Sequence, residues 1–213
     1  MDHSAATPSR AVDPLRAVDW PVRTERLVLR RATDADIDEM WRFRQLPEVG
    51  MWLSAAPDTF PAFRQRMVAK RSSTVAVLLA ESDASPSSAD DASPPAGVLI
   101  GDLMIRVEDG WAQDEVTAAA RNTQAEIGWA FDPAFHGRGY ATEAVRAAIS
   151  LCFDQLRLRR VHAGCFADNV PSWKLMERVG MRREEHSRKS ALHRSGEWVD
   201  GMSYGLLAEE WTG

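Results

Sequence analysis

The stretch FDPAFHGRGYATEA, residues 131–144, places two glycines on either side of one arginine, directly before a run of residues that favour helix. The preceding segment QAEIGWAF, residues 124–131, predicts a strand, and the apolar stripe that follows predicts an amphipathic helix over residues 140–156. A helix N-terminus carries free N–H groups and a partial positive charge, so it attracts anions where side chains leave room. The spacing alone leaves two interpretations open, a turn that uses glycine for backbone freedom or a cradle for phosphates.

Other phosphate-binding loops do not fit this stretch. A dinucleotide-binding fingerprint requires a third glycine, and Thr142 stands at that position. A P-loop requires Gly-Lys followed by Ser or Thr, and no glycine of the chain precedes a lysine. The glycine loop of a kinase lies between two strands, whereas this one opens a helix.

Composition limits the class of protein. The 213 residues are 45% hydrophobic and 27% charged, which is typical of a globular protein, and the net charge is −5. That charge disfavours nucleic-acid binding, which needs a basic surface, and suits cationic substrates better than anionic ones. Cys152 and Cys165 lack metal-ligand spacing and lie in apolar patterns, so we expect buried free thiols and no metal site. The N-terminus lacks a signal-peptide core and no apolar run reaches membrane-span length, so we expect a cytoplasmic protein without a membrane partner.

The order of predicted elements is that of a mixed α/β protein. Residues 1–22 are predicted to be a flexible tail and residues 23–213 a single domain. Within that domain the patterns predict β-α-α-β-β-β-α-β-α-β-β, a largely antiparallel sheet with one parallel crossover. Two polar insertions lie at residues 81–97 and 108–122, and the first is predicted to be a solvated loop.

Four segments in the right order resemble motifs of the GNAT superfamily of acyl-CoA N-acyltransferases. EIGWAFDPAFHGRGYATEAV resembles its motif A, with His136 where glutamine or arginine is usual, and DNVPSWKLMERVGM resembles the next motif. TERLVLRRATDAD and WVDGMSYGLLAEEW resemble, more narrowly, the branch that contains the ribosomal-protein alanine N-acetyltransferases. The resemblance spans roughly residues 24–211.

This resemblance implies a GNAT-type fold and acetyl-CoA as the cofactor. The sheet is then splayed around its parallel crossover, and the pantetheine arm bonds to the backbone of the strand before the glycine turn. The implied cofactor-binding residues lie on that strand, in the turn, and at the start of the helix after the next strand: Trp129, Ala130, Phe131, His136, Gly137, Arg138, Gly139, Tyr140, Ala141, Thr142, Asn169, Ser172 and Met176.

Two residues are candidates for proton transfer during direct attack of an amine on the thioester. Glu126, on the splayed strand, is the candidate base through a water, and its alternative is a structural carboxylate held by a backbone group or an arginine. Ser172 is the candidate proton donor to the departing thiolate, because Met176 occupies the position where many relatives have a tyrosine. Its alternative is a first-turn serine that helps to cap the helix. Asn169 is open between capping that helix and binding the cofactor.

The predicted activity is acetyl transfer to a primary amine, either a protein N-terminal α-amine or a small molecule such as an antibiotic or metabolite. The alternative is an acyl-CoA-binding module without turnover. Trp52 and Trp111 are candidates for the acceptor pocket, and the resemblance also allows a homodimer.

Overall fold

A computed structural model describes residues 13–56, 58–80 and 97–213 of the chain. Eight strands lie in this part: β1 Val22–Arg23, β2 Leu27–Arg31, β3 Thr74–Leu79, β4 Leu99–Glu108, β5 Gln124–Phe131, β6 Arg160–Phe166, β7 Arg182–Leu192 and β8 Trp198–Leu207. The α-helices described are α1 Asp34–Arg44, α2 Pro47–Gly50, α3 Phe60–Lys70, α4 Tyr140–Ser150 and α5 Val170–Arg178.

The strands form one sheet in the order β1-β2-β3-β4-β5-β6-β8-β7. Each neighbouring pair is antiparallel except β5 and β6, which run parallel and are joined by the crossover through α4. The predicted fold class, a mixed α/β protein with a mostly antiparallel sheet and one parallel crossover, is confirmed.

Helices cover both faces of the sheet. On one face α4 and α5 pack through residues such as Val145, Ile149 and Leu175 against the largest core cluster. On the other face α1 and α3 pack through residues such as Phe43 and Phe63 against the first half of the sheet. The alternation of strand side chains explains both layers, because successive residues point to opposite faces.

The starts of α1 and α4 differ in a way that matters for the site. Thr33 and Asp36 form a capping box at α1, as their spacing predicts, so the first amides of this helix are satisfied. At α4 the N-cap is Gly139, whose lack of a side chain leaves no cap for the first turn.

Part of the segment predicted as a flexible tail lies within the described residues and packs on the domain. A short 3₁₀ turn at Pro14–Ala17 places Leu15 and the following Val18 in the main core. Residues 1–12 and the predicted loop at 81–96 lie outside the described residues.

Two helix boundaries involve a change of helix type or a new start. Helix α1 ends at Arg44, and Pro47 begins α2, since proline is tolerated in a first helical turn. The predicted helix over 140–156 is α-helical to Ser150 and continues as one π-helical turn, Leu151–Gln155. Within the described residues, no helix is both long and apolar enough to cross a membrane.

Candidate active site

The parallel strands β5 and β6 separate soon after they meet. Their pairing covers three positions only, from Gln124 opposite Arg160 to Glu126 opposite His162. Beyond that point β5 stays paired with β4 as far as Phe131, and β6 stays paired with β8 as far as Phe166. The two strands thus open like a V, and the β5 backbone after Glu126 faces a gap instead of a neighbouring strand.

The glycine turn lies at the open end of this V. Gly137 and Gly139 adopt φ of +75° and +81°, conformations that cost an L-residue about 1–2 kcal/mol. No described group accepts a hydrogen bond from the backbone amides of residues 137–142. Six N–H groups with the positive end of α4 behind them form a site suited to an anion. The cradle interpretation therefore fits this geometry, and the glycines serve it through their φ angles.

A network of charged and polar side chains fastens the glycine turn to the segment between β1 and β2. Arg26 donates to the carbonyl of Arg138 at 3.0 Å and to Glu143 Oε2 at 2.8 Å, and its guanidinium lies 4.8 Å from the centre of the Tyr140 ring. The carboxylate of Glu143 also accepts from the Thr24 hydroxyl at 2.6 Å. Burial alone would raise the pKa of Glu143, but these hydrogen bonds outweigh it and lower that pKa. The network keeps Glu143 anionic and the start of α4 in place.

His136 ties the turn to the end of β5. Its Nε2 lies 3.2 Å from the carbonyl oxygen of Phe131 and must carry the proton, since a carbonyl only accepts. The imidazole thus holds the turn against the strand from which it emerges.

A cleft of about 1270 Å³ joins the V, the turn and the opposite face of the sheet. Twelve of the predicted site residues line it: Glu126, Trp129, Ala130, Phe131, His136, Gly137, Gly139, Tyr140, Ala141, Thr142, Asn169 and Ser172.

The side chains of two predicted cofactor-binding residues point away from the cleft. Met176 is only 1% exposed and packs in the core, whereas Ser172, Leu175 and Arg178 of α5 line the cleft. The side chain of Arg138 is exposed, and its guanidinium lies over the ring of Phe135 at 5.8 Å. The backbone amide of Arg138 nevertheless belongs to the row of amides in the glycine turn.

Two other arginines provide the cations at the turn. Arg178 lines the cleft and donates to the hydroxyl of Thr142 at 3.3 Å. Arg26, just before β2, donates to the carbonyl of Arg138. Sequence reasoning missed both, since neither adjoins the glycines in the chain. The only local signal was their place within the quoted motifs.

The start of α5 presents polar side chains to the cleft. Asn169 occupies the N-cap position, but its side chain makes no capping bond. Burial raises the pKa of Cys165, and a hydrogen bond from the Ser172 hydroxyl partly offsets this effect. Cys165 is therefore a half-buried thiol in the cleft wall, whereas Cys152 is fully buried as predicted. Neither Asn169 nor Ser172 spends its side chain on capping.

Glu126 sits at the point where the strands part, beside a row of charged groups. Arg106 on β4 forms an ion pair with Glu126 through Oε2 of the carboxylate, which partners this buried oxygen. Arg106 also contacts Glu108, which lies 2.7 Å from Nε2 of His162. Glu126 is therefore a carboxylate held by an arginine, and it lines the cleft at the point where the strands separate.

The loop after α2 and the β7–β8 hairpin border one part of the cleft. The ring of Trp52 lines the cleft and lies 6.3 Å from that of Phe166, and His193 Nε2 lies 3.1 Å from the carbonyl oxygen of Met51. Trp111 is 90% exposed and does not line the cleft.

Known proteins resemble this chain in sequence and in fold. Residues 26–182 match the family model described as "Acetyltransferase (GNAT) domain". Among curated relatives, the uncharacterized N-acetyltransferase YnaD of Bacillus subtilis is 41% identical over 41% of this chain and 51% of its own length. The putative ribosomal N-acetyltransferase YdaF of the same organism is 36% identical over 43% of this chain and 50% of its own.

The matched segments span about half the length of these curated relatives. A GNAT-family acetyltransferase of known structure from Bacillus anthracis superposes with a TM-score of 0.69 at 25% identity, covering 89% of this chain and 99% of that one. The V between β5 and β6, the uncapped glycine turn and the match over residues 26–182 agree: this chain belongs to the GNAT acetyltransferase family.

Proposed function

We propose that this protein transfers the acetyl group of acetyl-CoA to a primary amine, which attacks the thioester directly in a ternary complex. The proposal rests on the backbone amides of residues 137–142, which donate to no described group and lie at the open end of the V between β5 and β6. A pyrophosphate fits such a row, because it is an anion with many acceptor oxygens and the glycines keep side chains away.

The residues that would hold the cofactor follow from these two features. The amides of the turn receive the pyrophosphate, with Arg178 beside Thr142 adding positive charge. The free backbone edge of β5 from Trp129 to Phe131 pairs with an amide-bearing arm as a neighbouring strand would, and Asn169 faces it from the other side of the cleft. When bound, acetyl-CoA supplies an activated acetyl group as a thioester.

Proton transfers fall to two side chains that line the cleft. Glu126, paired with Arg106 and lining the cleft, accepts a proton from the amine through a water. The hydroxyl of Ser172, which lines the cleft at the start of α5, donates a proton to the departing sulfur. The position of Glu126 at the apex of the V and of Ser172 on the opposite wall supports this division of roles.

For the acceptor we propose an α-amine, such as that of a protein N-terminus. An α-amine has a pKa of about 8 and is partly neutral at physiological pH, whereas a lysine amine at about 10.4 needs stronger assistance. An ion-paired carboxylate is a modest base, which suits the easier task. The relative YdaF, named as a putative ribosomal N-acetyltransferase, agrees with this choice. A small-molecule amine is the second candidate, because the cleft is deep enough to enclose one.

The test is an acceptor screen with acetyl-CoA that follows release of free thiol, using peptides with varied N-termini, amino acids, polyamines and aminoglycosides. With a working acceptor, Ser172→Ala and Glu126→Gln should each lower kcat by about 10²–10³, within the range for acid–base groups, without a change in thermal stability. Ser150→Ala, on the far part of α4, is the matched control and should keep the wild-type rate.

Three results would contradict the proposal or its parts. Full rates in both variants would remove the assigned roles. Tight acetyl-CoA binding without transfer to any amine would favour a binding module. A lack of CoA binding by calorimetry would remove the cofactor assignment itself.

A further inference from the structure

Where α1, α3 and β4 border the cleft, apolar side chains stand beside an excess of positive charge. Phe63, Met67 and Met104 are the apolar lining residues of these elements, and Arg44, Arg66 and Lys70 are their cationic ones. This local charge is opposite in sign to the net charge of the chain, −5.

The spacing on α3 explains how cations come to face this region. Residues 63, 66, 67 and 70 follow the i, i+3, i+4, i+7 pattern and so lie on one side of the helix. The two apolar members are buried, while Arg66 and Lys70 are exposed at the edge of the cleft. Neither cation forms an ion pair with a described residue.

The acidic groups nearby are already neutralised. Asp102, 1% exposed, accepts two hydrogen bonds from Arg44, which uses Nε and Nη2 and leaves Nη1 without a described acceptor. Glu126 lies beside Arg106. Among the described residues that line the cleft, only Glu48 is an acid outside an ion pair.

We propose that the acceptor amine carries a carboxylate close to its nucleophilic nitrogen, an inference that rests on the proposed acetyl transfer. That carboxylate is either the α-carboxylate of a free amino acid or an acidic side chain next to a peptide N-terminus. Arg66 and Lys70 attract it electrostatically, and the free Nη1 of Arg44 donates to it, while the apolar lining residues receive an uncharged side chain. Polyamines and basic peptides would be repelled by these cations, and they would find no unpaired buried carboxylate among the described lining residues.

The experiment compares matched acceptors in the wild type and in the double variant Arg66→Gln/Lys70→Gln. One arm uses methionine against methioninamide, and the other uses a peptide amide with glutamate or with glutamine as its second residue. Because amidation also lowers the pKa of the neighbouring amine, the decisive quantity is how each ratio of kcat/KM changes on mutation.

We expect KM for the carboxylate-bearing acceptor to rise about 2- to 5-fold in each single variant and about tenfold in the double variant, as for exposed charge pairs. The uncharged partner should change less than twofold. The arm that shows the effect identifies the source of the carboxylate. Arg64→Gln, which removes a charge from the same helix but pairs with Asp38 outside the cleft, should leave both ratios unchanged.

An unchanged ratio in the double variant for both arms would overturn the inference, as would a wild-type preference for polyamines over all carboxylate-bearing amines. Either outcome leaves acetyl transfer itself intact. Failure of the proposed function is a different result, since no amine in any arm would then be acetylated.

Discussion

Replacing Gly137 and Gly139 by alanine tests whether the glycine turn binds the cofactor through its backbone. Both residues have φ in the left-handed region, and an added Cβ at Gly137 would have no atom within 4 Å. At Gly139 it would meet only Arg26 Nη2, at 3.4 Å. The substitutions therefore introduce backbone strain with little steric clash, about 1–2 kcal/mol for each residue.

The strain can be released only by moving the amides of the turn. The turn is exposed and its amides are not held by other groups, so we expect it to relax in the free protein. Binding must then restore the strained conformation, and its cost appears in the affinity for CoA. At 1.4 kcal/mol for each factor of ten, one substitution should weaken CoA binding about 5- to 25-fold.

Calorimetry of CoA binding, with denaturant unfolding in parallel, measures this effect. Gly196→Ala is the matched control, because Gly196 has φ of +89°, an equally open Cβ position and a place in the β7–β8 turn. It should lower stability and leave CoA affinity unchanged. The reasoning is refuted if the variants at 137 and 139 bind CoA within twofold of wild type, or if the control weakens binding as much.

Three further predictions follow from charges and burial. Burial alone would raise the pKa of Asp36, but hydrogen bonds led by those from Arg30 outweigh burial and lower it. The ionised carboxylate therefore stabilises the fold above about pH 4, and this stabilisation is lost as the pH falls through the lowered pKa. Asp36→Asn should cost roughly 1–3 kcal/mol at pH 7 and less at pH 3, as unfolding at the two pH values would show. Burial raises the pKa of Cys152 to about 12, so a thiol reagent should modify Cys165 before Cys152. CoA should slow the modification of Cys165, because this residue lines the cleft. Equal labelling of both thiols in the folded protein would contradict this prediction. Arg26→Gln removes a brace of the glycine turn and should raise KM for acetyl-CoA several-fold at an unchanged kcat, whereas a fall in kcat alone would argue for another role.

Features that depend on neighbours in the chain were predictable. The bounds of β5 agree with the sequence pattern, and the three-residue spacing of Thr33 and Asp36 is that of a capping box. The positive φ of Gly139 belongs to the same class, because a strand that turns sharply into a helix favours glycine at that point.

Features that depend on the packing of distant segments were not predictable from the sequence. Met176 was assigned to the cleft and lies in the core, because the rotation of α5 is set by what it packs against. The burial of Leu15 is a further case, since the strands and helices that cover it come later in the chain.

The sequence by itself determined the family, the mixed fold and the uncapped glycine turn, because local patterns of glycine, periodicity and caps encode them. Only the tertiary structure decided which charges meet. Arg26 reaches the turn across 112 positions of sequence, and Arg106 lies beside Glu126 because β4 and β5 pair in that register. The excess of positive charge in part of the cleft arises in the same way, because tertiary packing brings Arg44 of α1 and Arg66 and Lys70 of α3 to one cleft. Contacts of this kind have no local signature, since the free energy that forms them comes from burying the core and not from the residues that finally touch.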